Sequence, residues 1–136
     1  MKLMAVDYGD ARTGVAFSDP YGKITGDAFT VAASSMTKAS VALAALAEER
    51  GAELIVLGLP LNMDGSRGPR SEASEALAAM LRDRTGLEVV LWDERLTTVD
   101  AHRILSEAGR RGKKRKERID AVAASLILES YMDGMR

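Results

Sequence analysis

Residues 3–18 read LMAVDYGDARTGVAFS, two short apolar runs joined by a turn-rich segment. The first run, Leu3 to Val6, passes directly into Asp7, which is typical of a buried strand that ends in a turn. The second run, Gly14 to Ser18, predicts another strand, and Ile24 to Val31 predicts a third. Three strands with such short connections favour an antiparallel meander.

The remainder of the chain alternates between helical and strand-like patterns. Two continuous aliphatic runs, Leu54–Leu57 and Val89–Trp92, have the composition of strands that are buried on both faces. Right-handed crossovers through the helices would make these two strands parallel to the first one. The predicted helices are Thr37–Arg50 with a cap at Gly51, Glu72–Arg84 with a start near Pro69 and a stop near Gly86, Thr97 or Thr98 to about Ala108, and about Glu117 to Met132.

These elements combine into one predicted α/β domain that spans residues 1–136. Its sheet is mixed and five-stranded, with a three-strand antiparallel meander plus two parallel strands, and it is flanked by helices. A chain of 136 residues can bury a real core, and it contains no internal repeat or dividing linker.

The composition excludes several classes of site and location. The chain has no cysteine, which excludes disulfides, thiolate metal sites and a cysteine nucleophile. No apolar run approaches the ~20 residues that span a bilayer, and no signal pattern precedes the first strand. We therefore expect a cytoplasmic protein without membrane contact.

Basic residues are concentrated in one segment of an otherwise balanced chain. The formal net charge is -1, so no overall basic field indicates nucleic acid. Residues 110–118, RRGKKRKER, nevertheless carry seven basic groups and one acid. We interpret the segment as a loop that docks on phosphates, and a solvated surface loop is the plainer alternative. Its candidate phosphate-binding residues are Arg110, Arg111, Lys113, Lys114, Arg115 and Lys116.

Acidic residues follow two of the predicted parallel strands. Asp7 ends the first strand, and Asp93 and Glu94 follow Val89–Trp92. Ligands of open sheets collect at the carboxyl edge, so these acids are candidates for one site. Converging carboxylates repel one another unless a cation lies between them, and Mg²⁺ or Mn²⁺ prefers such oxygen ligands. The structural alternatives are a turn begun by Asp7 and a pair formed by one of the other acids with Arg95.

Asp120 is a third candidate, in the last predicted helix. Ala124, Ile127 and Tyr131 share its helical face, so the acid begins a mainly apolar stripe. An acid aligned with a buried stripe is costly unless it is paired or bound to a metal. The alternative is a first-turn acid that the helix dipole favours.

A polar loop is predicted over residues 58–70, after the strand Leu54–Leu57. The loop is rich in Gly, Pro, Asn and Asp, and its length suits a substrate-binding loop at the same edge. Asp64 would either reach the site or act as an ordinary turn acid before Gly65.

Taken together, these segments resemble the YqgF (RuvX) family of pre-16S ribosomal RNA nucleases, relatives of the RuvC-type Holliday junction resolvases. The resemblance spans nearly the whole chain and involves several separate motifs in order. They are Val6-Asp7-Tyr8-Gly9 with Arg12, Gly14 and Ser18-Asp19; Gly58-Leu59-Pro60 and Met63-Asp64-Gly65; Asp93-Glu94-Arg95-Leu96-Thr97-Thr98; and Asp120-Ala121-Val122-Ala123-Ala124 with Ile127-Leu128.

The resemblance implies a ribonuclease H-like fold and metal-dependent cleavage of nucleic-acid phosphodiesters by a cytoplasmic protein. It assigns the catalytic and metal-binding acids to Asp7, Glu94 and Asp120, with Asp93 as the competitor of Glu94. In the resolvase relatives the second acid belongs to the strand that corresponds to Leu54–Leu57, which carries no acid here. The metal site would then be rebuilt from the next strand, or be weaker.

The mechanism expected from this resemblance is hydrolysis with two Mg²⁺ or Mn²⁺ ions roughly 4 Å apart. Asp7 would bridge the ions, while Glu94 and Asp120 would each complete one shell. Besides the basic segment and Asp64, the expected substrate contacts are Arg12 and Arg95.

Precursor ribosomal RNA, free or in a ribosomal particle, is the expected substrate in preference to a DNA junction, and both a monomer and a homodimer stay open. The alternatives are a Holliday junction resolvase, a non-catalytic module that binds structured RNA, and an ATP-binding relative of sugar kinases, which Asp-x-Gly at residues 7–9 suggests.

Overall fold

The computed structural model describes residues 1–96 and 112–135, with the side chains of all of these except 112–118. The strands are β1 (Leu3–Asp7), β2 (Arg12–Ser18), β3 (Thr25–Ala32), β4 (Leu54–Leu59) and β5 (Glu88–Asp93). The α-helices of the described part are α1 (Met36–Arg50), α2 (Pro69–Thr85) and α3 (Gly112–Gly134), and a 3₁₀ turn, Glu94–Leu96, follows β5. The helix predicted from Thr97 or Thr98 to about Ala108 lies outside the described residues.

The five strands form one mixed sheet in the order β3-β2-β1-β4-β5. The pairs β1–β2 and β2–β3 are antiparallel, and the pairs β1–β4 and β4–β5 are parallel. The predicted meander with two added parallel strands is therefore confirmed. Strands β1 and β4 are buried on both faces, which explains their continuous apolar sequences.

Helices cover both faces of the sheet. Met4 and Val6 pack in a core with residues of α1 and α2, whereas Leu3 and Ala5 pack in a second core with residues of α3. Because side chains alternate along a strand, Asp7 follows Leu3 and Ala5 onto the α3 face. In the part of the chain that the structure describes, none of the helices is long and apolar enough to span a membrane.

Helices α1 and α2 end at the predicted glycines, and α2 begins at the predicted proline. Gly51 and Gly86 terminate them in the left-handed conformation, each with φ of 70°, where a side chain would be strained. Pro69 is the first residue of α2, as the sequence predicts.

The prediction of a basic loop before the last helix is wrong from Gly112 onward. Helix α3 begins there, so Lys113, Lys114, Arg115 and Lys116 lie in its first turns. Lysine and arginine are good helix formers, and no proline or glycine interrupts residues 113–133, so the helix extends through the basic stretch. Arg110 and Arg111 lie outside the described residues.

Candidate active site

Asp7 stands at the carboxyl end of β1, where two other acids reach it. Asp7 as a whole residue keeps some exposure to solvent. Its carboxyl group is nevertheless desolvated, and this desolvation is the largest cause that raises the pKa of Asp7 well above the usual range. The charge of Glu94, a hydrogen bond shared with the Glu94 side chain and the charge of Asp120 raise this pKa further. The structure therefore brings Asp7, Glu94 and Asp120 to one edge of the sheet.

A glycine on β2 lets α3 carry Asp120 to this edge. Gly14 pairs directly with Asp7 across the β1–β2 ladder. A Cβ atom on Gly14 would collide with the backbone carbonyl of Asp120. The helix consequently lies closer to the sheet here than any side chain would allow.

Asp120 is held by an arginine at the same edge. The Arg12 Nε atom donates to Asp120 Oδ2 at 3.3 Å, and both side chains are about three-quarters buried. Burial raises the pKa of Asp120, while the hydrogen bond and charge of Arg12 act in the opposite direction. Arg12 thus reaches the site as expected, but its guanidinium is engaged by an acid rather than free for a phosphate.

The two adjacent acids after β5 have different partners. Asp93 accepts hydrogen bonds from Arg95 Nε at 3.0 Å and Nη2 at 2.7 Å, and these bonds lower the pKa of Asp93. Arg95 Nη1 also donates to the carbonyl oxygen of Met63 at 3.3 Å. Asp93 and Arg95 together tie the end of β5 to the loop after β4, whereas Glu94 contacts Asp7.

Asp64 closes its own turn. Its Oδ1 atom accepts hydrogen bonds from the backbone N–H of Ser66 at 2.9 Å and from the Ser66 hydroxyl at 2.6 Å, and these bonds lower the pKa of Asp64. Gly65, inside the turn, has φ of 87°, which favours glycine. Of the two roles open for Asp64, the geometry gives the turn, and a substrate contact stays a prediction.

Arg70 is a candidate site residue that the sequence reasoning missed. It is the second residue of α2, and its positive charge lowers the pKa of both Asp7 and Asp120. Its side chain is exposed and makes none of the hydrogen bonds or ion pairs found among the described residues. The signal was the sequence Gly68-Pro69-Arg70, since a proline that starts a helix after a parallel strand places the next residue near the carboxyl edge.

The acids fit a divalent cation only in part. Asp7 and Glu94 offer hard oxygen donors in contact with each other, and their mutual repulsion is what a cation would relieve. Across the described residues, however, no group of three or more His, Cys, Asp or Glu side chains is arranged to hold a metal ion. The third acid, Asp120, faces Arg12. The geometry suits one ion on the Asp7–Glu94 pair, and the expected two-ion site would need Asp120 to leave Arg12.

Nearly the whole chain matches one protein family. Residues 1–134 match the RuvX family, which is described as a Holliday junction resolvase. A protein of Myxococcus xanthus (strain DK1622) named "Putative pre-16S rRNA nuclease" is 46% identical over 136 residues, covering 100% of this chain and 90% of the relative.

Solved structures show the same fold. RuvC from T. thermophilus in complex with a Holliday junction substrate has a TM-score of 0.63 at 10% identity, covering 98% of this chain and 96% of that chain. This likeness confirms the expected ribonuclease H-like fold. The ROK hexokinase from Thermus thermophilus has a TM-score of 0.51 at 24% identity, covering 75% of this chain but 38% of the kinase. This kinase therefore shares the fold over part of its own length.

Proposed function

The chain belongs to the RuvX family, and on that premise we propose that it is a nuclease that hydrolyses phosphodiester bonds of nucleic acid at Asp7, Glu94 and Asp120. The name of the Myxococcus xanthus relative, which aligns with the whole of this chain, supports precursor 16S ribosomal RNA as the substrate. We expect the reaction to take place in the cytoplasm.

The contact between Asp7 and Glu94 carries the proposal. Desolvation and two neighbouring acids disfavour the ionised form of Asp7. This cluster of carboxyl groups does not stabilise the fold, because an apolar or amide side chain at Asp7 would avoid the cost of desolvation and charge repulsion. Perturbed carboxyl groups clustered at the carboxyl edge of parallel strands are typical of catalytic sites.

We assign Asp7 and Glu94 as ligands of a divalent cation, Mg²⁺ or Mn²⁺. Such an ion, when bound, lowers the pKa of a coordinated water and neutralises charge on the phosphate. The chain's own contribution is to hold the two carboxyl groups against each other at the end of β1. Gly14 of β2, the ladder partner of Asp7, contributes by letting the backbone of Asp120 approach β2 closely.

Arg70 is the residue we assign to the substrate phosphate. Its guanidinium provides five N–H donors in a planar fork that matches phosphate oxygens, and it lies within electrostatic range of Asp7 and Asp120. A positive charge there offsets the repulsion between the acids and an approaching phosphate. Arg12 would add a second contact once it exchanges Asp120 for a phosphate oxygen.

We assign the basic residues at the start of α3, the helix that carries Asp120, to further phosphates of the substrate. Lys116 precedes Asp120 by one helical turn, a rise of about 6 Å. Lys113, Lys114 and Arg115 continue the basic stretch away from the acids. Arg95 is already paired with Asp93, so we assign it the role of holding the loop after β4 rather than of binding the substrate.

Cleavage assays test the proposal directly. Purified protein is incubated with a precursor 16S ribosomal RNA fragment and with a four-way DNA junction, each with Mg²⁺, Mn²⁺ or EDTA. We expect cation-dependent cleavage of the RNA, and Asp7→Asn should reduce it by about 100-fold or more while the protein stays folded. Asp27→Asn is the matched control, because Asp27 is an exposed acid paired with Arg50. Equal cleavage by wild type and Asp7→Asn would refute the assignment, and cleavage of the junction alone would make the protein a DNA resolvase.

A module that binds structured RNA without cutting it is the second candidate. The ion pair between Arg12 and Asp120 favours it, because this pair keeps one of the three acids away from a shared metal shell. Such a module would show salt-sensitive RNA binding with no cation-dependent turnover.

A further inference from the structure

Glu94 has to cross a neighbouring strand to reach Asp7. Strand β4 lies between β1, which ends in Asp7, and β5, which leads into Glu94. Gly58 of β4 occupies the crossing point. It pairs with Trp92 of β5, and it directly follows Leu57, the partner of Val6 in β1.

The space beside Gly58 is filled by the Glu94 side chain. A Cβ atom at position 58 would lie 2.9 Å from both Cγ and Cδ of Glu94 and 2.7 Å from Cδ1 of Ile127. Carbon atoms that are not bonded pack at roughly 3.5–4.0 Å, so even the smallest side chain would push Glu94 aside.

The backbone gives no other reason for a glycine at this position. Among the described residues, the glycines with positive φ are Gly22, Gly51, Gly65 and Gly86, and Gly58 is not one of them. Its conformation is one that any residue adopts, so the requirement at position 58 is for space.

We propose that Gly58 is a positioning residue of the acid cluster. The missing side chain at position 58 leaves the space in which the Glu94 side chain, which follows β5, reaches Asp7. Strand β4 carries no acid of its own, so an open position 58 is what allows Glu94 to supply the second carboxylate. The consequence for cleavage rests on the proposed function, whereas the placement of Glu94 stands on the distances alone.

The decisive variant is Gly58→Ala, measured for Mn²⁺ affinity by calorimetry, for kcat and KM on the nucleic acid that wild type cleaves, and for Tm. A displacement of the carboxylate by about 1 Å lowers catalysis by about 10- to 100-fold. We expect that loss in kcat, with KM nearly unchanged and Mn²⁺ affinity about 10-fold weaker. Gly26→Ala in β3 is the matched control, since its Cβ would lie 3.2 Å from the backbone oxygen of Phe17 in β2, away from the acids.

A double-mutant cycle separates positioning from a general loss of stability. In a Glu94→Ala background there is no carboxylate to displace, so adding Gly58→Ala should change Mn²⁺ affinity and kcat by less than about 2-fold. An equal loss in both backgrounds overturns the inference.

Ile127→Val tests the second clash, because it deletes the Cδ1 atom that the new Cβ would meet. We expect this substitution alone to leave cleavage unchanged and to give no rescue of Gly58→Ala. Recovery of Mn²⁺ affinity in the Gly58→Ala/Ile127→Val protein would show that packing on α3, rather than Glu94, sets the requirement.

Wild-type affinity for Mn²⁺ and the structure of the variant distinguish the two proposals. If wild type neither binds Mn²⁺ nor cleaves nucleic acid, the proposed function fails, and a crystal structure of Gly58→Ala then decides the inference. A displaced Glu94 carboxylate supports it, and a carboxylate that stays against Asp7 overturns it. If wild type is active and Gly58→Ala matches it, the inference fails while the proposed function stands.

Discussion

Replacing Asp7 by asparagine should stabilise the protein when divalent cations are absent. The Asp7 and Glu94 carboxyl groups share a hydrogen bond, and Asp120 adds a further negative charge. Two unit charges about 4 Å apart repel by about 4 kcal/mol at an effective dielectric constant of about 20. Partial solvent contact and the shared hydrogen bond reduce this repulsion, so we expect the free energy of unfolding to rise by about 1–2 kcal/mol near neutral pH.

The pH dependence of this gain has a definite sign. The pKa of Asp7 is raised in the folded state, so the folded protein holds a proton over a pH range in which the unfolded chain has lost it. The associated stability is full below the unfolded pKa of about 3.9 and is lost as the pH rises through the folded pKa. Asp7→Asn removes that loss, and its advantage over wild type therefore grows with pH.

Thermal unfolding in EDTA and in Mn²⁺ measures both effects. In EDTA the Tm of Asp7→Asn should exceed that of wild type by about 3–8 °C. Mn²⁺ at a hundred times its Kd should stabilise wild type by about 2.7 kcal/mol and leave the variant nearly unchanged. The control is again Asp27→Asn, whose exposed 3.2 Å pair with Arg50 contributes less than about 1 kcal/mol. A lower Tm for Asp7→Asn in EDTA, or equal Mn²⁺ stabilisation of both proteins, would contradict the reasoning.

Two further substitutions test the site and the fold. Arg70→Ala should raise KM for nucleic acid by about 10-fold and reduce the salt dependence of binding, because one phosphate contact is lost. Equal affinities of wild type and Arg70→Ala across a salt titration would argue against that contact. Asp19→Ala should lower Tm by several degrees near neutral pH, because Asp19 accepts backbone hydrogen bonds from Tyr21, Lys23 and Ile24 that lower its pKa. The stability that these bonds provide is present above a pH of about 4 and is lost as the pH falls through the lowered pKa of Asp19. The difference in Tm between wild type and Asp19→Ala should therefore shrink in acid. A difference that stays constant with pH would exclude this cause.

The convergence of Asp7 and Glu94 was predictable because parallel strands share a carboxyl edge. The choice between Asp93 and Glu94 was not, since both residues leave the same strand and either could face Arg95. Arg70 was missed because the helix start at Pro69 was not connected with the carboxyl edge of the sheet, where it places the next residue. The basic segment was misread because glycine at 112 resembles a loop signal, although the helix begins at that residue.

The sequence by itself determined the elements, the mixed sheet and the edge at which the acids meet. Apolar runs, turn residues and crossover handedness act locally or through general rules, so they can be read without coordinates. Only the tertiary structure decided which acid contacts Asp7, that Arg12 holds Asp120, and that Gly14 and Gly58 leave the space through which the acids arrive. Those outcomes depend on distances between residues far apart in the chain, and close packing fixes such distances only when all the elements are in place.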